Sequence, residues 1–288
     1  METAALELRM AEIAATLPQG VLGVAVYDYL SGFTWAREGD RWFHAASTIK
    51  VALLAAVFDA VDAGHLSLES RVHVRNRFLS VADGEPFRVP ASRDADADVH
   101  ANIGKTMRVG DLVRHMIGTS SNLATNLLLE VIGLDNARRA LAARAVGLQH
   151  GIDLQRGVED DRAFEAGCSN RVTPSGLVAL LRVIRDGVRF SESSSQAMID
   201  VLFDQRFAGA IGPGLPDAIR AAARIAHKTG DISTASHDAG IVYLPGRPPY
   251  VVALLAESSG DASDRTAALV AASRAIYDAV ASAGEETA

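Results

Sequence analysis

The sequence predicts an α/β protein: one antiparallel sheet built from both chain ends, flanked by the terminal helices, with an all-helical lobe inserted between them. Three observations lead there. Strand-like segments rich in β-branched residues occur near the start of the chain and again over 222–255. Between them apolar residues recur at helical spacing. Finally, no repeat, low-complexity tract or flexible linker separates the two regions, so the 288 residues read as a single domain with a sheet lobe at about 1–62 and 205–288 and a helical lobe at about 63–204.

Residues 2–16 place Leu6, Met10 and Ile13, with Leu17 beyond, on one stripe of an amphipathic helix that Pro18-Gln19-Gly20 ends. Val21–Leu30 alternates like a strand, and Ser31-Gly32 turns it into a hairpin partner at Phe33–Ala36. A helix over about 47–62 follows, stopped by Asp62-Ala63-Gly64. Residues 65–108 lack sustained periodicity and carry an aspartate cluster, Asp94, Asp96 and Asp98, which reads as a solvated loop or a rim of the site. The alternating aspartates lack the closing glutamate of a calcium loop. Helices resume at Val109–Ile117, Leu123–Ile132 and Asp135–Ala145. An irregular charged stretch covers 151–172, and Thr173-Pro174 then opens a helix with N-cap and first-turn preferences in place. Another helix is expected over Ser193–Phe203, three strands at Ala222–Thr229, Ala239–Leu244 and Tyr250–Leu255, and a closing helix at about Asp264–Ala281.

Composition narrows the function classes. A formal net charge of −7 with scattered arginines disfavours nucleic acid and anionic membrane as partners. The apolar runs Val51–Phe58 and Val251–Ala256 are far short of membrane length. Glu2, Glu7, Arg9 and Glu12 interrupt any signal-peptide core, so a cytoplasmic location is expected, or a secreted or periplasmic one if a leader has been removed. Cys168 is the single cysteine. It allows no internal disulfide or cysteine metal cluster and reads as a packing residue.

The chemistry concentrates first at Ser47-Thr48-Ile49-Lys50. Three residues along a helix, the lysine shares the serine's face. A serine hydroxyl is a poor nucleophile until a base takes its proton, and a lysine desolvated beside another cation is such a base. The chain spends lysine sparingly: of its 28 basic residues only Lys50, Lys105 and Lys228 are lysines. Arginine cannot give up its proton, so keeping lysine at position 50 suggests a chemical requirement.

Two more polar signals sit in apolar surroundings: Ser120-Ser121-Asn122 between helices, and His227-Lys228-Thr229-Gly230-Asp231 at a strand end. Together they close an acyl-transfer scheme. Ser47 is the nucleophile and Lys50 its base. Ser120 relays a proton to the leaving nitrogen. Lys228 and Thr229 hold a substrate carboxylate, and Lys228 also biases Lys50 by charge. The backbone N–H groups of Ser47 and Asp231 form an oxyanion hole.

Ser47-Thr48-Ile49-Lys50, Ser120-Ser121-Asn122 and Lys228-Thr229-Gly230, in this order, resemble the penicillin-recognising serine enzymes, and the class A β-lactamases most closely. Phe43–Phe58, Met107–Gly133 and Ala226–Ala256 look like matching class A segments. The resemblance implies a β-lactamase-like fold, a covalent acyl-enzyme, and small-molecule substrates with an acylatable amide beside a carboxylate. It implies no cofactor and no metal, and gives Asn122 a contact with substrate and with Lys50; Gly230 belongs to the same substrate-binding strand.

The departures from the family pattern are specific. Ser121 replaces the usual aspartate, residues 65–106 are longer than their counterpart, and no arginine lies near Ala239 to hold a carboxylate. Asp231 brings a carboxylate to a spot normally small or neutral. The loop that carries the family's deacylating glutamate corresponds to Arg156–Thr173, without its usual Glu-x-x-x-Asn spacing, and Asn170 stands where an aspartate normally pairs with an arginine. Glu159, three residues after Arg156, is the expected base for deacylation, with Glu165 second. The expected activity is hydrolysis of β-lactam amides. The alternatives are a peptidase, amidase or esterase on the same fold, and a penicillin-binding sensor that acylates without turnover; a carboxylate at the water-activating position separates the first from the last.

Overall fold

The two ends of the chain do build one five-stranded antiparallel sheet. In the computed structural model, which describes residues 3–285, its strands are β1 (Val21–Asp28), β2 (Thr34–Arg37), β3 (Arg224–Ile232), β4 (Ala235–Tyr243) and β5 (Tyr250–Glu257). They lie in the order β3-β4-β5-β1-β2. Register runs from Val21 opposite Glu257 to Asp28 opposite Tyr250, and from Lys228 opposite Ala239 to Asp231 opposite Ser236. Helices α1 (Thr3–Ala14) and α12 (Ala262–Glu285) cover the sheet. Leu6 and Met10 from α1 and Ala272 and Ile276 from α12 form one core with Val24, Val26 and Leu254. Each of these side chains larger than alanine contributes about 1.5–3 kcal/mol on burial.

Between these ends lie α2 (Ile49–Asp62), α3 (Ala97–Ala101), α4 (Val109–Gly118), α5 (Asn122–Ile132), α6 (Leu134–Ala143), α7 (Asp161–Glu165), α8 (Pro174–Asp186), α9 (Glu192–Phe203), and the short α10 (Ile211–Gly214) and α11 (Asp217–Arg220). No helix among the described residues is long and apolar enough to cross a membrane.

The chain forms two compact units. A sheet unit comprises the residues up to Thr48, Val172–Arg182 and the residues from Phe207 on. A helical unit comprises Ile49–Arg171 and Val183–Arg206. The expected limit near 62 falls instead at Thr48, and Val172–Arg182 joins the sheet unit, while the second limit, at Arg206, lies close to the expected 204. Helix α2 belongs with the helices because Ile49–Phe58 is buried all round, against α4, α5, α6 and α9.

Four local expectations are corrected. Ser47 lies on a 3-10 turn, Ala46–Thr48, rather than in the first turn of α2, which begins at Ile49. Lys228-Thr229-Gly230 is interior to β3 rather than at its end, because β3 runs on to Ile232 and turns tightly into β4. The start of β4 hid from a hydrophobicity reading because Ser236, His237 and Asp238 are polar yet buried. Each has a partner: Ser236 Oγ accepts from Arg265 Nε at 3.2 Å, His237 Nε2 bonds the His44 carbonyl at 2.8 Å, and Asp238 Oδ1 pairs with His227 Nδ1 at 2.7 Å. Finally, the aspartate cluster is not simply solvated. The Asp94 side chain is fully buried and Asp96 is 4% exposed, while Asp98 remains exposed.

Candidate active site

Within the sheet unit, the nucleophile turn and β3 lie side by side. A Cβ built on Gly230 would sit 3.1 Å from the backbone N of Ser47 and 3.2 Å from that of Thr48. Only a residue without a side chain lets the strand approach this closely. Ala46, just before Ser47, takes φ 44°, a left-handed conformation that costs an alanine energy and aims the turn. Thr48 steadies the turn by donating its hydroxyl to the Ala45 carbonyl at 2.6 Å. The Ser47 and Asp231 N–H groups are thus carried by two backbones in contact.

Lys228 on β3 is fully buried, and its Nζ donates to the Thr229 carbonyl at 3.0 Å. Burial pushes this ammonium down to about 7, against the pull of Asp238 and Asp231. Asp238 is itself held by the N–H groups of Ala210 and Ile211, at 2.8 and 2.9 Å. Asp231 is reached by solvent, yet partial desolvation and the charge of Asp238 raise its carboxyl above the ordinary value, with the Ser236 hydroxyl, Lys228 and Arg265 opposing.

Within the helical unit, Lys50 projects from the first turn of α2 with no exposed surface. Its Nζ lies 2.6 Å from the Ser120 carbonyl, 3.0 Å from Ser120 Oγ and 2.8 Å from Asn122 Oδ1. A neutral amine satisfies the same three partners by donating to two of them and accepting from the Ser120 hydroxyl. Ser120, at φ 58°, ends the approach to α5 in a left-handed conformation, and Ser121 caps that helix by accepting from the Ala124 N–H at 3.1 Å.

Asn122 extends the set. Its Nδ2 donates to Glu159 Oε1 at 3.0 Å, so one amide side chain touches both Lys50 and Glu159. Glu159 is held at φ 61° by its neighbours rather than by its own preference. Asn126, one turn along α5 from Asn122, accepts from the Val158 N–H at 2.9 Å and donates to the Val158 carbonyl at 2.8 Å. Gly157 permits that approach, since a Cβ there would stand 2.8 Å from Asn126 Oδ1. Burial raises the Glu159 carboxyl above its ordinary value; the charges of Arg93, Lys50 and Arg156 oppose this, and that of Asp161 adds to it. Glu165 is exposed on α7 and makes no part of this cluster.

Asn170 answers the question its sequence position raised. Its Oδ1 accepts from the Gln155 and Arg156 N–H groups at 2.7 and 3.0 Å, and its Nδ2 donates to the Arg156 carbonyl at 3.0 Å. The loop is closed by an amide on backbone instead of an ion pair.

Residues 5–280 match the family of β-lactamase enzymes. The chain belongs to the β-lactamase enzyme family. Solved structures agree with this assignment. A β-lactamase from Sphaerobacter thermophilus is 26% identical, with 97% of this chain and 98% of that one covered and a TM-score of 0.79. An ancestral class A β-lactamase is 29% identical over 95% and 99% of the two chains, at a TM-score of 0.77. The fold is also that of PBP-A, solved as a variant in an acyl-enzyme complex with penicillin G, at 24% identity, 97% coverage of both chains and a TM-score of 0.79.

For a β-lactamase-family chain, the unexpected residues here lie in the long segment before α4. Asp94 Oδ2 accepts from the Leu123 N–H at 2.8 Å and from Ser121 Oγ at 3.3 Å, which brings a carboxylate to the start of α5. Asp96 caps α3 and accepts from His115 Nδ1 at 2.6 Å and from the Thr119 hydroxyl. Desolvation opposes ionisation of Asp96, but these hydrogen bonds outweigh it and hold its carboxyl below the ordinary range. Among the described residues, Asp96, Asp98 and His115 bring possible metal ligands within 4.8 Å of one another. Both Asp96 oxygens are already engaged, so the group works as a brace under the Ser120 turn. The helical spacing of Asn122 and Asn126 was the readable signal for the loop anchor. Arg93 had none.

Proposed function

We propose that this chain is a serine hydrolase of the class A type that opens β-lactam amides through an ester on Ser47. The observation that best supports turnover is the Lys50–Asn122–Glu159 chain of contacts, at 2.8 and 3.0 Å. A carboxylate tied through Asn122 to Lys50 favours a hydrolase over a sensor. In acylation, neutral Lys50 takes the Ser47 proton while Oγ bonds to the lactam carbonyl carbon. The oxyanion is held by the Ser47 and Asp231 N–H groups. The C–N bond then breaks, Ser120 gives its proton to the leaving nitrogen, and Lys50 returns one to Ser120. Lys228 and Thr229 hold the substrate carboxylate, with Gly230 keeping the strand close. In deacylation, Glu159 takes a proton from water, the water oxygen attacks the ester carbonyl, the C–Oγ bond breaks, and the proton returns to Ser47.

The test is intact mass after mixing with a penicillin and, separately, with a small ester, followed over time. A penicillin adduct that forms and decays is the expected result, and Ser47→Ala should form none while keeping its fold. An adduct that persists would assign the sensor role. Turnover of the ester with no penicillin adduct would move the reading to an esterase or peptidase. The same mass shift in Ser47→Ala would remove Ser47 as nucleophile.

A further inference from the structure

Arg93 lies in the segment before α4 whose length departs from the family pattern, and its guanidinium is fully engaged. Nε pairs with Glu159 Oε2 at 2.6 Å, and the two terminal nitrogens pair with Asp161 Oδ2 and Oδ1 at 2.7 and 3.0 Å. The Arg93 carbonyl also accepts from Asn122 Nδ2 at 2.9 Å. One residue therefore grips both the loop acid and the asparagine that joins it to Lys50. Its neighbour Asp94 fastens the same stretch to the start of α5.

The two carboxylate oxygens of Glu159 are divided between Asn122 and Arg93. Oε2 is buried, so losing Arg93 would leave a desolvated anion with no cation on that side. The backbone of Glu159 does not depend on Arg93, since Asn126 holds Val158 from below and Asp160 caps α7 through the Ala163 N–H at 3.1 Å. The role of Arg93 falls on the carboxylate itself.

We propose that Arg93 is a positioning residue for deacylation: it keeps Glu159 ionised and aimed, so that the long segment before α4 becomes part of the water-activating machinery. This rests on Glu159 being the base. The charged groups facing Glu159 are Arg93, Lys50, Arg156 and Asp161. Burial is the largest influence raising its carboxyl, and Arg93 is the largest opposing it. Removing the Arg93 charge therefore leaves a base that is protonated over more of the pH range. Acylation, which does not use Glu159 in the proposed scheme, is spared.

The experiment compares the parent with Arg93→Gln, which removes the charge but keeps length and hydrogen-bonding capacity, and with Arg93→Lys, which restores a charge without the three-point grip. The Glu159 carboxyl resonance, assigned by its loss in Glu159→Gln, is titrated by NMR without substrate. Its midpoint should rise by about 1–3 pH units in Arg93→Gln, the usual influence of an adjacent opposite charge, and by less in Arg93→Lys. The acidic limb of acyl-enzyme decay should move up with it, while the acylation rate stays as in the parent. An unmoved midpoint, or one that rises equally in Arg93→Lys, overturns the inference. Parent-like decay in Glu159→Gln would instead defeat the assignment of the base; the substrate-free titration judges the Arg93 pairing separately.

Discussion

Lys228 is a cation buried at the point where the proposed substrate carboxylate binds, and burial sets its titration near neutrality. The sign of the consequence is fixed. The protonated form pairs with a carboxylate, and it dominates below about pH 7. Above that value each pH unit removes about nine-tenths of the cation, since one unit corresponds to a factor of ten. For a carboxylate-bearing substrate, kcat/KM should therefore fall about tenfold per pH unit above neutrality, while a neutral ester should lack this limb. Bound substrate stabilises the charge, so the limb in kcat should lie at higher pH. Lys228→Arg should lower the rates but abolish the limb, because a guanidinium stays charged. A profile in Lys228→Arg that bends where the parent's does would exclude Lys228 as its origin.

At the scale of elements, what could be read from the sequence followed the solvation of each segment. Helix α2 was visible because its whole circumference is apolar, and β5 because it is an unbroken apolar run. The first half of β4 was not, since its buried Ser236, His237 and Asp238 find partners outside their own segment, including Arg265 on α12. The aspartates at 94 and 96 failed for the same reason: their burial depends on backbone N–H groups and on His115, His100 and Thr119, which no local pattern announces. The Ser120 turn was legible as three adjacent polar residues between apolar helices, but the brace beneath it was not.

The close approach of β3 to the nucleophile turn gives a prediction at this same scale. Gly230→Ala would place its Cβ against two backbone nitrogens, which yield only by moving the strand. A shift of a few tenths of an ångström spoils oxyanion geometry without removing a donor. The expected loss in kcat is about tenfold, below the 10²–10³ that follows deletion of a donor. Overpacking should cost about 1–3 kcal/mol of stability. Parent-like kcat in a folded Gly230→Ala would show that strand placement is not limiting.

For the molecule as a whole, the assigned groups fall in both units: Ser47, Lys228, Thr229, Gly230 and Asp231 in the sheet unit, and Lys50, Ser120, Asn122 and Glu159 in the helical unit. The sequence nominates all but one of these through its three polar stretches. Glu159 came only from its distance to Arg156, because the loop departs from the family spacing, and Glu165 could not be separated from it by position alone. The structure makes the two different. Glu159 is largely buried and bonded to Asn122 and Arg93, whereas Glu165 is exposed on α7. In the proposed scheme only the second half of the reaction uses the loop acid, so the two halves respond separately. Glu159→Gln keeps an amide that Arg93 and Asn122 still surround, but it cannot take a proton from water. Acylation of Ser47 should proceed, and the acyl-enzyme should live longer by about two orders of magnitude or more, the scale of losing a general base. Glu165→Gln should change neither step. The measurement is formation and decay of the adduct by mass spectrometry in both variants. Decay in Glu159→Gln as fast as in the parent would mean that another group activates the water.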